Sequence, residues 1–259
     1  MKPENQAYRK LQKHLNTLPV GFPKTFSGVE LRILERIFTP LEAEVATCLS
    51  YRLEPLEKIY NRAGRLPYSR PEIASTLDEM VRKGSILSVN RDERTLYAAL
   101  PFVVGMYEMQ LHKLTPDLYR DTVDYFRRGY ALEYLSTGLP QTRVVPIRKS
   151  IESRHQVATY DEIRALVAGA GERIGVVPCI CRQARDMIAE PCQKTKRREL
   201  CMVFRDIFEN CHRQGWARKI SAAEALAILD QNEKEGLVLQ PSNEQEPQFV
   251  CSCCQCCCG

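Results

Sequence analysis

The chain has 259 residues, more than one typical domain needs, so we expect more than one domain. Hydrophobic residues make up 44% and charged residues 27% of the sequence, proportions that are ordinary for a soluble globular protein. The formal net charge of +5 leaves out thiolates and is too small to indicate nucleic acid binding on its own.

The sequence shows no pattern of secretion or membrane insertion. Its first residues contain no apolar signal core, and no segment approaches the ~18 apolar residues that a membrane span requires. The longest apolar run, residues 97–106, is interrupted by Pro101 and Gly105. We therefore expect a cytoplasmic protein without a membrane partner, in a reducing compartment where clustered cysteines bind metal more readily than they form disulfides.

Helices dominate the first eighty residues. Residues 1–27 predict a short amphipathic helix followed by an irregular segment. Two capping boxes, at Thr39 and at Ser69, each place a proline soon after the cap and a glutamate three residues after it. A further helix is predicted near residues 55–63. The capping boxes mark where two of these helices begin.

A hairpin is predicted directly after the last of these helices, between Ile86 and Ala98. Helices followed by a hairpin are typical of a winged helix, so we expect a winged-helix-like domain at residues 1–100. The exposed face of its candidate recognition helix carries Ser75, Asp78, Glu79 and Arg82. Two acids would oppose phosphates, so DNA is a possible but not a favoured partner, and a docking or structural role is preferred.

Residues 101–139 predict a helical connection with two helical patterns. In the second pattern Tyr119, Val123, Phe126 and Tyr130 recur at spacings of four, three and four. Such a stripe could form a cofactor wall, but a core face is the more ordinary interpretation.

Strands and helices alternate in residues 140–259 and predict a small α/β domain. Its predicted strands are residues 143–147, 173–177, 200–204 and 237–239, and its predicted helices are residues 159–168, 185–189 and 221–235. The second strand leads directly into Cys179, and strand ends are where α/β folds place their sites. The fold class is therefore α+β and multidomain: an N-terminal winged helix, a helical connection and a C-terminal cysteine-rich α/β domain.

Eleven of the twelve cysteines lie from Cys179 onward, and six of them fall within residues 251–258. Thiolates clustered this tightly repel one another unless a cation lies between them, and neighbouring cysteines rarely satisfy disulfide geometry. The candidate metal ligands are Cys179, Cys181, Cys192, Cys201, Cys251, Cys253, Cys254, Cys256, Cys257 and Cys258. Cys48 and Cys211 fit buried thiols better than ligands.

Zinc and iron–sulfur clusters are the two metal groups that suit these ligands. Structural zinc sites usually combine two Cys-x2-4-Cys pairs, and the first cysteines of this cluster do not follow that spacing. Iron–sulfur clusters tolerate irregular spacing and are tuned by nearby positive charge. Arg182 and a basic run at residues 194–198 supply such charge, although a solvated loop explains the run as well. Spacing thus favours iron–sulfur, with zinc as the alternative.

Several motifs carry a resemblance to known proteins. They are Pro-Phe-Val-Val-Gly-Met-Tyr-Glu at 101–108, Val-Val-Pro-Cys-Ile-Cys-Arg at 176–182, Leu-Cys-Met-Val-Phe at 200–204, Ile-Ser-Ala-Ala-Glu-Ala-Leu at 220–226 and Cys-Ser-Cys-Cys-Gln-Cys-Cys-Cys at 251–258. Together they resemble a family of 4Fe–4S-binding proteins from anaerobic bacteria and archaea, whose terminal cysteine string is often followed by a ferredoxin domain. The resemblance implies one or two 4Fe–4S clusters.

No hydrolytic or group-transfer motif is present, so we expect no independent catalytic activity. The preferred hypothesis is an electron-transfer protein that exchanges single electrons with a redox partner protein or a ferredoxin-like domain. One alternative is a redox-responsive DNA-binding regulator that couples the state of a cluster to the winged helix. The other is a zinc-binding protein without redox activity.

Overall fold

The computed structural model describes residues 3–138, 141–142, 160–244 and 246–258. The chain divides into two compact units, Met1–Leu139 and Pro140–Gly259, which we call the N-terminal and the C-terminal unit. Helices and sheets are mixed, in agreement with the predicted α+β class. In the part of the chain that the structure describes, no helix has both the length and the apolar character to cross a membrane.

The N-terminal unit combines helices with one small antiparallel sheet. Its α-helices are α1 (Pro3–Leu15), α2 (Val29–Ile37), α3 (Pro40–Ala46), α4 (Leu56–Arg62), α5 (Arg70–Arg82), α6 (Pro116–Tyr125) and α7 (Ala131–Ser136). Its strands are β1 (Glu54–Pro55), β2 (Ile86–Arg91) and β3 (Arg94–Ala99), in the order β1–β3–β2. The predicted hairpin is confirmed, because Ile86 pairs with Ala99. Asp92 and Glu93, both with positive φ, form its turn.

Both predicted capping boxes are confirmed. At the start of α3 the Thr39 side chain accepts a hydrogen bond from the Glu42 backbone N–H, and the Glu42 carboxylate accepts one from the Thr39 N–H at 2.7 Å. Ser69 and Glu72 make the same pair of contacts at the start of α5. These bonds satisfy N–H groups that the first turn of a helix leaves free, which explains why the helices begin there.

The helical connection differs from its prediction in two ways. Its first helical pattern forms short turns instead of an α-helix, because Val103 and Val104 have extended backbone angles. In its second pattern the predicted core face is half-buried at Tyr119, Val123 and Phe126. The buried residues there are Leu118, Asp121, Thr122, Tyr125 and Tyr130. A π turn from Phe126 to Tyr130 inserts one extra residue, so Tyr130 alone of the predicted stripe reaches the core.

The C-terminal unit is built on a five-stranded sheet. Its helices are α8 (Tyr160–Gly169), α9 (Ile180–Met187), α10 (Arg205–Arg213) and α11 (Ala222–Lys234). Its strands are β4 (Ile174–Pro178), β5 (Glu199–Phe204), β6 (Arg218–Lys219), β7 (Val238–Pro241) and β8 (Phe249–Cys253), in the order β6–β4–β5–β8–β7. Neighbouring strands of this sheet are antiparallel, whereas a strand–helix–strand α/β unit usually pairs its strands in parallel. The strand predicted at residues 143–147 lies outside the described residues.

The core of the C-terminal unit lies between this sheet and two of its helices. Its fully buried members come from α8, α11 and the central strands, and include Ile163, Val167, Ile174, Val176, Met202, Phe204, Leu229 and Val250. The antiparallel order matters for the site, because β8 returns the end of the chain to β5, which in turn pairs with β4. The tail cysteines therefore come back towards the cysteines that follow β4.

A substitution at Gly175 in β4 would measure how tightly the helices pack on this sheet. A Cβ atom at Gly175 would lie 2.6 Å from the ring of Phe208 and 3.2 Å from the Cβ of Ala217. Phe208 is buried and stacks on His212, so it has little room to move. We expect Gly175→Ala to lower the free energy of unfolding of the C-terminal unit by about 1–3 kcal/mol, measured by denaturant unfolding.

Gly169→Ala is the matched control, because the nearest atom to its new Cβ, a guanidinium nitrogen of Arg205, lies 4.0 Å away. This variant should be at least as stable as the wild type, because Ala favours a helix more than Gly does. Equal stability of the two variants would show that the packing of Phe208 against β4 is looser than the structure indicates.

Candidate metal centre

All ten predicted ligand cysteines belong to the C-terminal unit. Cys179 directly follows β4 and caps α9, and Cys181 lies in the first turn of that helix. The helix thus begins at Ile180 and not near Arg185 as predicted. Cys201 lies on β5, and Met202 pairs with Val250 of β8. The remaining candidate ligands come from the loop before β5, from β8 and from the turn after it, namely Cys192, Cys251, Cys253, Cys254, Cys256, Cys257 and Cys258.

Six sulfur atoms form a closed ring of contacts, which we call the six-cysteine group. Each Sγ has hydrogen-bonding contact with two others, in the order Cys179, Cys181, Cys258, Cys253, Cys251 and Cys201, and Cys201 returns to Cys179. Cross-strand pairing explains part of this ring, because the register of β5 and β8 sets Cys201 beside Cys251. The period of two along β8 keeps Cys251 and Cys253 on the same face.

The pKa values around the ring are unequal: those of Cys179 and Cys258 are lowered, and those of the other four thiols are raised. Hydrogen bonds from the thiols of Cys181 and Cys201 lower the pKa of Cys179 well below its usual range. Those from Cys181 and Cys253 lower the pKa of Cys258 in the same way. The donor Cys181 has its pKa raised by the same two contacts. Neighbouring thiols thus donate to the sulfurs of Cys179 and Cys258, and ionisation of all six thiols together would need a cation to offset the repulsion between thiolates.

The other four sulfurs form a second cluster, the four-cysteine group: Cys192, Cys254, Cys256 and Cys257. Their Sγ atoms all lie within 4.8 Å of one another, an arrangement that can hold a metal ion. Neighbouring Sγ atoms are 3.7 Å apart between Cys192 and Cys254, 3.8 Å between Cys192 and Cys256, and 3.6 Å between Cys256 and Cys257. Cys254 and Cys256 are 3.5 Å apart. The fully buried Leu200 and Leu237 pack against this group.

Backbone N–H groups point at the sulfurs of the four-cysteine group. Desolvation alone would raise the pKa of Cys192, but hydrogen bonds from the N–H groups of Thr195 and Lys194 help to lower it to about 6. Desolvation likewise opposes ionisation of Cys256, and the N–H of Gln193 contributes to lowering its pKa. The loop after Cys192 therefore stabilises thiolates in a way that is common around metal-bound sulfur.

Arg182 connects the two groups. Its side chain is fully buried, and its Nη1 donates to Cys179 Sγ at 3.3 Å and to the Ser252 carbonyl oxygen at 2.9 Å. Its Nη2 donates to Cys254 Sγ at 3.3 Å. Its third nitrogen, Nε, is also buried and has no acceptor among the residues that the structure describes. Burial opposes the charge of Arg182, whereas the nearby sulfurs of Cys179 and Cys254 raise its pKa, so the guanidinium remains a cation.

The basic run before β5 does not act as the sequence predicts. Lys194 and Lys196 are exposed. Arg198 makes an ion pair with Asp186 at 2.6 Å, and Arg197 makes one with Glu235 at 2.8 Å. Of the predicted basic residues, Arg182 is thus the one whose hydrogen bonds reach sulfurs of both groups.

Polar residues that the sequence analysis missed hold the site together. Asn232 on α11 is fully buried, accepts a hydrogen bond from Arg197 at 2.6 Å and donates one to Ser252 Oγ at 2.7 Å. Ser252 Oγ in turn donates to the Leu200 carbonyl oxygen. This chain of bonds ties the loop after Cys192, helix α11 and strand β8 together. In the sequence, this chain of hydrogen bonds is marked only by Ser252, a polar residue between two cysteines, and by Asn232 near the end of a helix.

The ion pair of Arg197 and Glu235 gives a testable pH dependence. Hydrogen bonds from Arg197 lower the pKa of Glu235 from its usual 4.5 to about 2. A depressed carboxyl pKa stabilises the fold above the unfolded value and loses that contribution as the pH falls towards the folded one. We expect Arg197→Gln to lower the free energy of unfolding of the C-terminal unit by about 1–2 kcal/mol in denaturant titrations at pH 8 and at pH 5, and this difference to shrink between about pH 4.5 and pH 2.

The exposed ion pairs of Arg218 with Glu199 and Glu224 provide the comparison, and Arg218→Gln should change stability by less than about 1 kcal/mol. A stability difference for Arg197→Gln that does not change between pH 5 and pH 2 would mean that Arg197 does not lower the pKa of Glu235.

The two remaining cysteines are buried. Cys48 is 7% exposed and lies in the N-terminal unit, and burial raises the pKa of its thiol. Cys211 on α10 is 4% exposed, and desolvation alone raises its pKa to about 12. Both positions suit the buried thiols that the sequence predicts at Cys48 and Cys211.

Comparison with known proteins gives no relative for this chain. No family model, no curated protein and no solved structure matches it. The chemistry of the site therefore has to be inferred from its own thiols, charges and hydrogen bonds, and the resemblance to 4Fe–4S proteins stays a hypothesis.

Proposed function

We propose that the C-terminal unit binds an iron–sulfur cluster through the six-cysteine group and exchanges single electrons with a redox partner. The observation that carries the proposal is the closed ring of contacts among six sulfur atoms. A single tetrahedral ion uses four thiolates, so six contiguous thiols suit a centre with more than one metal atom. Soft thiolate ligands select zinc, copper(I) and iron–sulfur clusters among biological metals.

The unpartnered Nε of Arg182 supports iron–sulfur over zinc. A buried N–H without an acceptor is costly, by about 1–3 kcal/mol. Zinc bound by these thiols would bring no new acceptor atom, whereas the inorganic sulfides of a cluster accept hydrogen bonds. Arg182 also places one fixed positive charge beside Cys179 and Cys254, which offsets part of the negative charge of a thiolate-ligated cluster.

The exposure of the six-cysteine group suits electron transfer. Cys179 is buried, whereas Cys181, Cys201, Cys251, Cys253 and Cys258 are half-buried. An iron–sulfur cluster supplies one-electron chemistry when bound, and a partner must approach it closely. Residues of this chain would hold the cluster, keep bulk water from its Cys179 side and set its potential through Arg182.

Anaerobic purification of the full chain tests this proposal. We expect bound iron and acid-labile sulfide, and a paramagnetic signal after one-electron reduction. Cys181→Ser should lose most of that iron, and Cys211→Ser, which removes a buried thiol outside both groups, should retain it. Protein that contains stoichiometric zinc, without iron or sulfide, would refute the iron–sulfur assignment and leave a zinc protein as the conclusion.

For the N-terminal unit we propose a winged helix that serves as a docking or structural module. Support comes from the order of its elements, in which β1, α4, α5 and the β2–β3 hairpin follow one another and form a sheet with the order β1–β3–β2. The exposed side of α5 carries Asp78 and an ion pair between Arg82 and Glu79. Arg70, at the start of α5, is paired with Glu57. Few uncompensated positive charges are therefore left for phosphates on this helix.

A DNA-binding assay checks this docking role. We expect the full chain to bind DNA no more tightly than a non-specific protein does, with a Kd of about 10⁻⁴–10⁻⁶ M at physiological salt. Reversing the charge in Asp78→Lys with Glu79→Lys should strengthen this binding, because two repulsive charges become attractive. A sequence-selective complex of the wild type that survives moderate salt would instead favour a redox-responsive regulator.

A further inference from the structure

We infer that the four-cysteine group is a separate metal site that holds one tetrahedral zinc ion beside the iron–sulfur centre. The inference deepens the proposed function and rests on it only for the metal of the six-cysteine group. It also divides the ten candidate cysteines between two sites, four at this one and six at the other.

Distances between sulfur atoms carry the inference. Four thiolates at about 2.3 Å from a central zinc ion stand about 3.8 Å from one another at the corners of a tetrahedron. The sulfur pairs of the four-cysteine group are separated by 3.5, 3.6, 3.7 and 3.8 Å. The spacing of these four pairs therefore fits one tetrahedral ion.

The surroundings of the group are those of a closed, structural site. Four protein thiolates complete a tetrahedral shell, so no position is left for a substrate. Leu200 and Leu237 shield one side, and the N–H groups of residues 193–195 are directed at Cys192 and Cys256. Amide hydrogen bonds to sulfur and an apolar wall are the outer contacts that stabilise such an ion.

The position of the group suggests what the ion does. Cys192 lies 62 residues before Cys254, so an ion bound to both would join the loop before β5 to the turn after β8. That turn also carries Cys258, whose Sγ accepts a hydrogen bond from the backbone N–H of Cys254 at 3.4 Å. Zinc at the four-cysteine group would thus position Cys258 for the six-cysteine group. Loss of zinc should disturb the iron site, and loss of iron should leave zinc in place.

Metal analysis of the anaerobically purified full chain tests the inference. We expect about one zinc per chain, with an X-ray absorption spectrum that fits four sulfur ligands at about 2.3 Å. This measurement needs no variant, so it does not depend on whether a cysteine substitution folds. Cys256→Ser and Cys253→Ser form a matched pair from the same tail, one from each group.

Cys256→Ser should reduce zinc to below about a tenth of the wild-type content, because affinity depends on each thiolate. Cys253→Ser should retain zinc and lose iron. Wild-type protein that contains iron and sulfide but no zinc, with both variants losing iron to the same extent, would overturn the inference. The proposed function would then remain intact. One sulfur-ligated zinc in a protein without iron would support the inference and refute the proposed function.

Discussion

Replacing Arg182 by Met is expected to remove metal from both cysteine groups and to unfold much of the C-terminal unit. Arg182 is fully buried, and its hydrogen bonds hold Cys179, Cys254 and the Ser252 carbonyl oxygen. Removing one partner of a buried ionic contact leaves the other charge uncompensated, at a cost of about 3–5 kcal/mol. That cost is a large fraction of the 5–15 kcal/mol by which a typical domain is stable.

Metal content and thermal unfolding of the Arg182→Met variant provide the measurement. Arg198→Met is the control, because Arg198 pairs with Asp186 and has 30% side-chain exposure. The control should keep its metals and lose less than about 1 kcal/mol of its free energy of unfolding.

The Arg182→Lys variant distinguishes the effect of the positive charge from the effect of the guanidinium geometry. Lysine keeps the positive charge, but its single ammonium nitrogen cannot reproduce the two-nitrogen contact of the guanidinium with Cys179 and Cys254. We therefore expect metal to be retained and the reduction potential of the iron–sulfur cluster to shift. Full metal content and wild-type stability in Arg182→Met would contradict a linking role.

The part of the fold that sequence reasoning predicted is the part with local causes. A capping box is complete within four residues, so Thr39 and Ser69 mark two helix starts without any knowledge of the rest of the chain. The hairpin likewise depends on two adjacent runs and a polar turn. The buried face of α6 lies one position before the predicted one, at Leu118, Thr122 and Tyr125, because tertiary packing selects between adjacent helix faces that are both partly apolar. The π turn that follows, at Phe126–Tyr130, leaves no mark on the hydrophobic periodicity.

The ten candidate ligands could be found from composition, but their division into two groups could not. It depends on the register of β5 against β8, which sets Cys201 beside Cys251, and on the turn that brings Cys254 to Cys192. Both are contacts between residues far apart in sequence. The role of the basic residues was also decided by tertiary structure, since Arg197 and Arg198 found carboxylate partners while Arg182 was buried between sulfurs.

Substitution of Cys179 by Ala should have the second large effect, loss of iron together with loosening of the C-terminal unit. Cys179 is 4% exposed, belongs to the six-cysteine group and contacts Arg182. Metal binding contributes about 10–16 kcal/mol in small zinc-binding units, which exceeds the usual stability of a domain. A C-terminal unit without its metal should therefore lose much of its order, whereas the N-terminal unit has its own core and contains none of the ten candidate ligands.

Hydrogen exchange of the full chain, followed by peptide, resolves this prediction because it reports on both units in one experiment. In Cys179→Ala we expect faster exchange in β4, α9, β5 and β8 and unchanged exchange in α1 to α5. Cys48→Ala is the reciprocal control. It removes a buried thiol from the N-terminal unit, so it should cost about 1 kcal/mol there and leave the iron content unchanged. Exchange that rises equally in both units of Cys179→Ala would show that the metal stabilises the whole chain. Unchanged exchange in β8 would show that Cys179 is not a ligand on which the fold of the C-terminal unit depends.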